Sequence, residues 1–143
     1  MNTFTPDWSN VRPLGRTCQL PDSLWLAFSG SGAEFAFTGR RCDVTLAGDT
    51  TALPDATENL ARIAIEVDGV RVADTLLNAP EKTCTVVDDS EARSHVVRIV
   101  KLSETAMSTC SVKAIVTDAA SIQPTVKKTH AIEFIGDSIT CGY

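Results

Sequence analysis

Between Leu14 and Asp118 the apolar residues of this chain return at every second position, and most of these runs end in glycine, proline or small polar residues. A period of two sends side chains alternately to the two faces of an extended strand, and a helix cannot carry it. Leu24, Leu26 and Phe28 point one way, with Trp25, Ala27 and Ser29 opposite. Ser29-Gly30-Ser31-Gly32 is a strong turn signal. Phe35 and Phe37 then share a face, and Gly39-Arg40 reads as a turn into Cys42, Val44 and Leu46. These three runs predict an antiparallel meander.

Residues 48–59, rich in Thr, Asp and Ala and containing Pro54, read as a loop. Ile63, Ile65 and Val67 alternate into Asp68-Gly69, a pair preferred in two-residue hairpins, and Val70-Arg71-Val72 returns. A helix from near Thr57 is the rival reading, which the β-branched alternation disfavours. Cys84 to Val87 reads as a short strand and Asp88-Asp89-Ser90 as a solvated turn, preferred over a calcium site because further acidic ligands are lacking nearby. His95 to Leu102 is apolar on both faces and therefore central, with His95 a strand residue rather than a ligand or base. Ser111 to Asp118 alternates cleanly, and Arg98, Lys101 and Lys113 are placed to charge a sheet edge. Met1 to Pro13 reads as an arm laid over the domain, with Trp8 packed. The pattern predicts an all-β sandwich of eight or nine short strands.

At 143 residues the chain suffices for one cored domain, which would bury roughly two thirds of the surface its unfolded chain exposes. A net charge of −5, with Lys and Arg scattered, gives no footprint for nucleic acid and no polybasic membrane patch. No apolar run approaches a membrane span, and Met1 to Asn10 lacks the basic start and apolar core of a signal peptide. The protein is then intracellular, or a leader is absent from this sequence. Cys18, Cys42, Cys84, Cys110 and Cys141 show no zinc or redox spacing, so neither a metal nor any other cofactor is expected. The first four allow two disulfides in three connectivities if the protein is exported, leaving Cys141; the alternative is five reduced thiols.

The chemistry-bearing stretch is Ala131 to Tyr143, AIEFIGDSITCGY. A strand-forming run meets Gly136, whose backbone freedom suits a sharp strand-to-helix turn, and Asp137, Ser138 and Thr140 follow. A serine lifted clear there can act as a nucleophile, its own N–H helping to hold the developing oxyanion. The frame Gly136-Asp137-Ser138-Ile139-Thr140 lacks the second glycine of the α/β-hydrolase elbow. A bare Gly-Asp-Ser triplet is more often a helix cap than a catalytic turn; the flanking residues tip the reading to catalysis.

The block resembles the first motif of the SGNH (GDSL-type) hydrolases, and IEFIGDSITCGY looks most like carbohydrate esterase family 2. Gly15-Arg16-Thr17, Phe28 to Gly32, Phe35 to Gly39, Val67-Asp68-Gly69 and His95 to Lys101 with Glu104 resemble that family's N-terminal domain in the same order. The resemblance implies a jelly-roll sandwich over residues 1–121, a linker over 122–129, and over 130–143 the first strand and nucleophile turn of a truncated α/β SGNH hydrolase domain. It implies removal of acetyl groups from plant-wall polysaccharides such as xylan and glucomannan, and an extracellular or periplasmic setting, with a cytoplasmic one also open. By position Ser138 is the nucleophile and backbone oxyanion donor, with Gly136 and Asp137 supporting the turn. The family's catalytic histidine, and the glycine and asparagine that complete its oxyanion hole, follow the serine, whereas His95 and His130 precede it. The isolated chain is therefore expected to be inactive, its partners being an acetylated polysaccharide or oligosaccharide and the missing catalytic domain. The alternative is a non-catalytic carbohydrate-binding module using Trp8, Trp25 and Tyr143, although Trp25 is expected chiefly in the core; a third reading makes the sandwich a lid or spacer for the catalytic cleft.

Overall fold

The computed structural model describes residues 1–130 together with Ile132, Ile135 and Gly136. Every regular element among them is a strand: β1 (Asn2–Phe4), β2 (Arg12–Leu14), β3 (Thr17–Gln19), β4 (Leu24–Leu26), β5 (Gly32–Gly48), β6 (Arg62–Val67), β7 (Val70–Leu76), β8 (Glu81–Lys101), β9 (Cys110–Thr117) and β10 (Gln123–Pro124). No helix of the described residues is long and apolar enough to cross a membrane.

The two longest strands organise the rest. From Gly32 to Gly39, β5 pairs antiparallel with residues 93–100 of β8, while from Arg41 to Ala47 it pairs with residues 81–88. Beyond the first half of β8 lies β9, reached across β5, and beyond its second half lie β6 and then β7. The first leaf is therefore β7, β6, the second half of β8 and the first half of β5, edged by β2 and β10. The second leaf is the remaining halves of β8 and β5, then β9, then β1 and β4 side by side, then β3. Phe35, Ile63, Ile65 and Ile99 of the first leaf share one core with Leu24, Leu26, Leu46, Val112 and Ile115 of the second, all wholly buried. The sheet thus folds over its own apolar face as a jelly-roll-like β-sandwich, the all-β class expected from the sequence.

Several local expectations are corrected. Gly39-Arg40 does not reverse the chain; it is a bulge within one strand, where the register slips between Gly39 and Arg41. The buried set accordingly changes from Ala33, Phe35 and Phe37 to Cys42, Val44 and Leu46, because one inserted residue exchanges the two faces. Asp88-Asp89-Ser90 is no turn either, since β8 runs through it and residues 89–92 stand opposite Arg40 alone. Lys101 charges no edge: it continues the inward set His95, Val97 and Ile99 and is wholly buried. Its ammonium donates to the carbonyls of Ser103 and Glu104 at 2.5 and 3.2 Å. The first thirteen residues hold β1, part of β2 and the wholly buried Val11, so they are more than an irregular arm.

Asp68-Gly69 closes the β6–β7 hairpin as expected, with φ of 52° and 81°, the pair of left-handed residues a tight hairpin requires. Residues 49–61 form the expected loop. At the far end, Ile122 is buried and Gln123 and Pro124 pair with Ala36 and Phe35, so the start of the stretch expected to be a linker is stitched to the first leaf.

Candidate functional site

Of the residues assigned to catalysis, Asp137 and Ser138 lie outside the described residues, as do Cys141 and the binding candidate Tyr143. Gly136 is exposed and outside any strand. Where the structure does speak is on the tryptophans, the histidines and the point at which the chain leaves the sandwich.

Trp8 sits in a turn pinned by Asp7, whose carbonyl accepts the Asn10 and Val11 N–H groups at 3.1 and 2.8 Å and whose carboxylate accepts that of Ser9 at 2.7 Å. It is 62% exposed rather than packed. Trp25 is the middle residue of β4; Leu24 and Leu26 go inward, so the indole goes out, 36% exposed, between its cross-strand partners Cys18 and Ser111. The core role expected of it is therefore corrected. Phe28 is likewise outside, with the Arg16 guanidinium 5.9 Å from its ring centre. The aromatic contacts of the described residues, Phe35–Phe37 and Phe37–His95, involve neither tryptophan, so the two form no joint platform through ring contact.

His95 is a buried strand residue, as expected, but with a network that sequence reasoning missed. Its Nδ1 lies 2.9 Å from Asp68 Oδ2 in the β6–β7 turn, while Asp68 Oδ1 accepts the Val96 N–H at 2.8 Å. Its Nε2 stands 3.3 Å from Asp89 Oδ2, off the line of a hydrogen bond, so that nitrogen is enclosed without a hydrogen-bonding partner among the described residues. Asp89 in turn accepts from Arg93 Nε at 2.6 Å. Burial raises the Asp68 carboxyl, but the Val96 N–H, His95 and Arg93 outweigh it and hold it below its ordinary value. A cleft of about 390 Å³ opens over this network, walled by Val67, Val70, Val72, Val86 and Val87. The arrangement ties the hairpin to the β8 bulge, and His95 is not open to a substrate. His130 is exposed, with Nδ1 3.0 Å from the Thr129 hydroxyl.

The paired aspartates are matched to cations of the protein itself, Asp88 to Arg41 at 3.7 Å and Asp89 to Arg93, which leaves a poor donor set for calcium. Among the described residues, no three His, Cys, Asp or Glu side chains assemble a candidate metal site. Cys42 and Cys110 are buried, Cys84 half-buried and Cys18 exposed, all as unbridged thiols.

A second polar network lies where the chain leaves the sandwich. Arg12 on β2 donates through Nη2 to Glu34 Oε1 on β5 at 2.5 Å and through Nε to the Thr125 hydroxyl at 2.7 Å. The Thr125 hydroxyl donates to the same Glu34 oxygen at 2.5 Å. Burial raises the Glu34 carboxyl, but Thr125, Arg12 and Arg98 outweigh it, and it stays ionised to lower pH than an ordinary glutamate. Thr125 is thus locked to the first leaf just before Lys127, Lys128 and His130, which line a cleft of about 260 Å³ with Arg12, Leu14, Glu34 and Arg98.

Long strands shared by two leaves and a single apolar core define a jelly-roll-like β-sandwich, with Thr125 tied to its first leaf. The chain belongs to the carbohydrate esterase 2 N-terminal family, whose family model matches residues 14–125. No curated protein sequence matches it. Among solved structures, a family two carbohydrate esterase from Cellvibrio japonicus superposes with a TM-score of 0.82 at 20% identity, covering 99% of this chain and 40% of that one. An acetyl xylan esterase from the rumen bacterium Butyrivibrio proteoclasticus gives 0.74 at 18% identity, covering 90% of this chain and 35% of that one. The carbohydrate-binding module CBM36, solved with calcium and xylotriose, gives 0.57 at 10% identity, covering 80% of this chain and 98% of that one. At these identities the superpositions establish the fold, and the chain spans less than half the length of the two esterases.

Proposed function

We propose that this chain is the sandwich portion, with the opening nucleophile block, of a carbohydrate esterase that removes acetyl groups from plant-wall polysaccharides such as xylan or glucomannan. The observation that carries the reading is the family match over residues 14–125, followed in the same chain by the Gly136-Asp137-Ser138 block. The acetyl xylan esterase among the similar folds supports the substrate class. In the proposed reaction Ser138 Oγ attacks the acetyl carbonyl as its proton passes to a general base, the sugar hydroxyl leaves, and water then releases acetate from the acyl-serine. The Ser138 N–H is one oxyanion donor, and Gly136 and Asp137 shape the turn. His95, enclosed between Asp68 and Asp89, does not supply the base, which is sought in a following SGNH domain. Residues 1–143 are inactive by themselves, and export to the periplasm or the cell exterior follows from a polymeric substrate.

The test is the denatured mass of the polypeptide from its native source. The reading requires about two and a half times the 15.3 kDa of this sequence, from the share of the Cellvibrio japonicus esterase that the chain covers. A mass of 15.3 kDa leaves Ser138 without a base and refutes it.

Exposed Trp8 and Trp25 favour a second reading, a carbohydrate-binding module, since an indole face stacks on the apolar face of a sugar ring. Retention on a polysaccharide gel, lost on Trp25→Ala or Trp8→Ala, is its signature.

A further inference from the structure

Five residues on five pairing segments stand directly opposite one another across the outer face of the first leaf: Arg12 faces Glu34, Glu34 faces Arg98, Arg98 faces Glu66, and Glu66 faces Arg71. The signs alternate, with ion-pair distances of 2.5, 4.0, 3.7 and 4.0 Å along the row. Arg71 continues to Asp74 at 3.2 Å, and Asp74 to Arg62 at 2.8 Å. Exposed cross-strand pairs of opposite charge each add only modestly to a sheet.

The row is also unbalanced. Arg12, Arg98, Arg71 and Arg62 outnumber Glu34, Glu66 and Asp74, and Lys127 and Lys128 add to the same end, on a protein whose net charge is −5. Among the described residues, neither ion pair of the half-exposed Arg98 guanidinium is within hydrogen-bond length. Beside it Val96 is 41% exposed on the same face. The chain crosses this face after Thr125, since Lys127, Lys128 and His130 share a cleft with Arg12, Glu34 and Arg98. By contrast, charges on the outer face of the second leaf, Lys113 with Glu81 and Arg41 with Asp43, are matched locally.

We infer that the outer face of the first leaf is the seat of the esterase domain of the same polypeptide, which presents an acidic surface to the Arg12–Glu34–Arg98–Glu66–Arg71 row. The inference rests on the esterase reading above. The tail turns toward that surface, the surplus cations have a complement there, and Val96 is covered.

The experiment is arginine footprinting of the native polypeptide with a dicarbonyl reagent, read residue by residue in a protease digest. The side chains of Arg98 and Arg71 are 50% and 49% exposed in the isolated sandwich, and those of Arg40 and Arg93, beyond the row at the β5–β8 bulge, 60% and 66%. All four are ion-paired and partly exposed, so without a covering domain they react at comparable rates. The seat requires Arg98 and Arg71 to react at least tenfold more slowly than Arg40 and Arg93, and Arg98→Glu to return Arg71 to the control rate. Peptides beyond Tyr143 in the same digest, together with equal rates, overturn the seat and leave the esterase reading standing. A digest with no such peptides overturns both.

Discussion

Asp118 Oδ1 accepts the backbone N–H groups of both Arg40 and Arg41, at 2.9 and 3.1 Å, and so fixes the bulge at which β5 passes from one leaf to the other. A Cβ on Gly39 would collide with that carboxylate oxygen, so the strand needs glycine there for space. Asp118→Ala is expected to lower the melting temperature with little change in strand content, by leaving both N–H groups without their acceptor. Gly39→Ala, which must push the carboxylate aside, is expected to destabilise by about 1–3 kcal/mol. Additive losses in the double variant, measured by thermal denaturation, would contradict a shared mechanism.

Acid is expected to loosen the sandwich. Asp118 is lowered by the Arg41 and Arg40 N–H groups against its partial burial. In Asp49 burial raises the carboxyl, but hydrogen bonds from Thr51 and Thr109 outweigh it; Asp68 and Glu34 follow the same pattern. Each therefore releases its proton more readily folded than unfolded, and its contribution is complete above the ordinary values of 3.8 for Asp and 4.5 for Glu. It is lost as pH falls through the lowered values. Stability is expected to be level in these groups from pH 7 to about 5 and to fall below about 4; a rise on acidification across that range contradicts the assignment.

Thiol reactivity should sort the cysteines. Burial, helped by Asp43 and Asp118, pushes Cys42 up to about 12, and burial, partly opposed by Lys101, does the same for Cys110. Native alkylation is expected at exposed Cys18 before Cys84, with Cys42 and Cys110 modified only on unfolding. Early labelling of Cys110 would contradict its burial.

Paired substitutions on β4 and β8 separate surface from core. Trp25→Ala removes an outward indole and is expected to change stability by less than about 1 kcal/mol, while Ile99→Ala empties a wholly buried site at about 2–5 kcal/mol. Chemical denaturation reads both, and equal losses would restore Trp25 to the core.

Much of this fold was legible in the residues. The alternation of Leu24, Trp25 and Leu26 already sends the indole out; treating a large aromatic as core by default overrode the period. Asp68-Gly69 was legible because a two-residue hairpin is a local event. Gly39-Arg40 was not, since what turns a reversal into a bulge is Asp118, about eighty residues on. The same holds for Asp89, which pairs with Arg93 and lies beside His95, a side chain held by Asp68 of the β6–β7 turn. Lys101 shares the parity of Val97 and Ile99, which points it inward, but its acceptors are backbone carbonyls that carry no side-chain signal. The nucleophile block is a matter of motif alone, because Ser138 lies outside the described residues.

The most direct test of the esterase reading is acetate release from acetylated xylan by the native polypeptide, compared with its Ser138→Ala variant. The account requires release by the former and its loss, by at least a thousandfold, in the latter, with the melting temperature unchanged. Equal release from both, or none from the native polypeptide on any acetylated plant-wall polysaccharide, would contradict it.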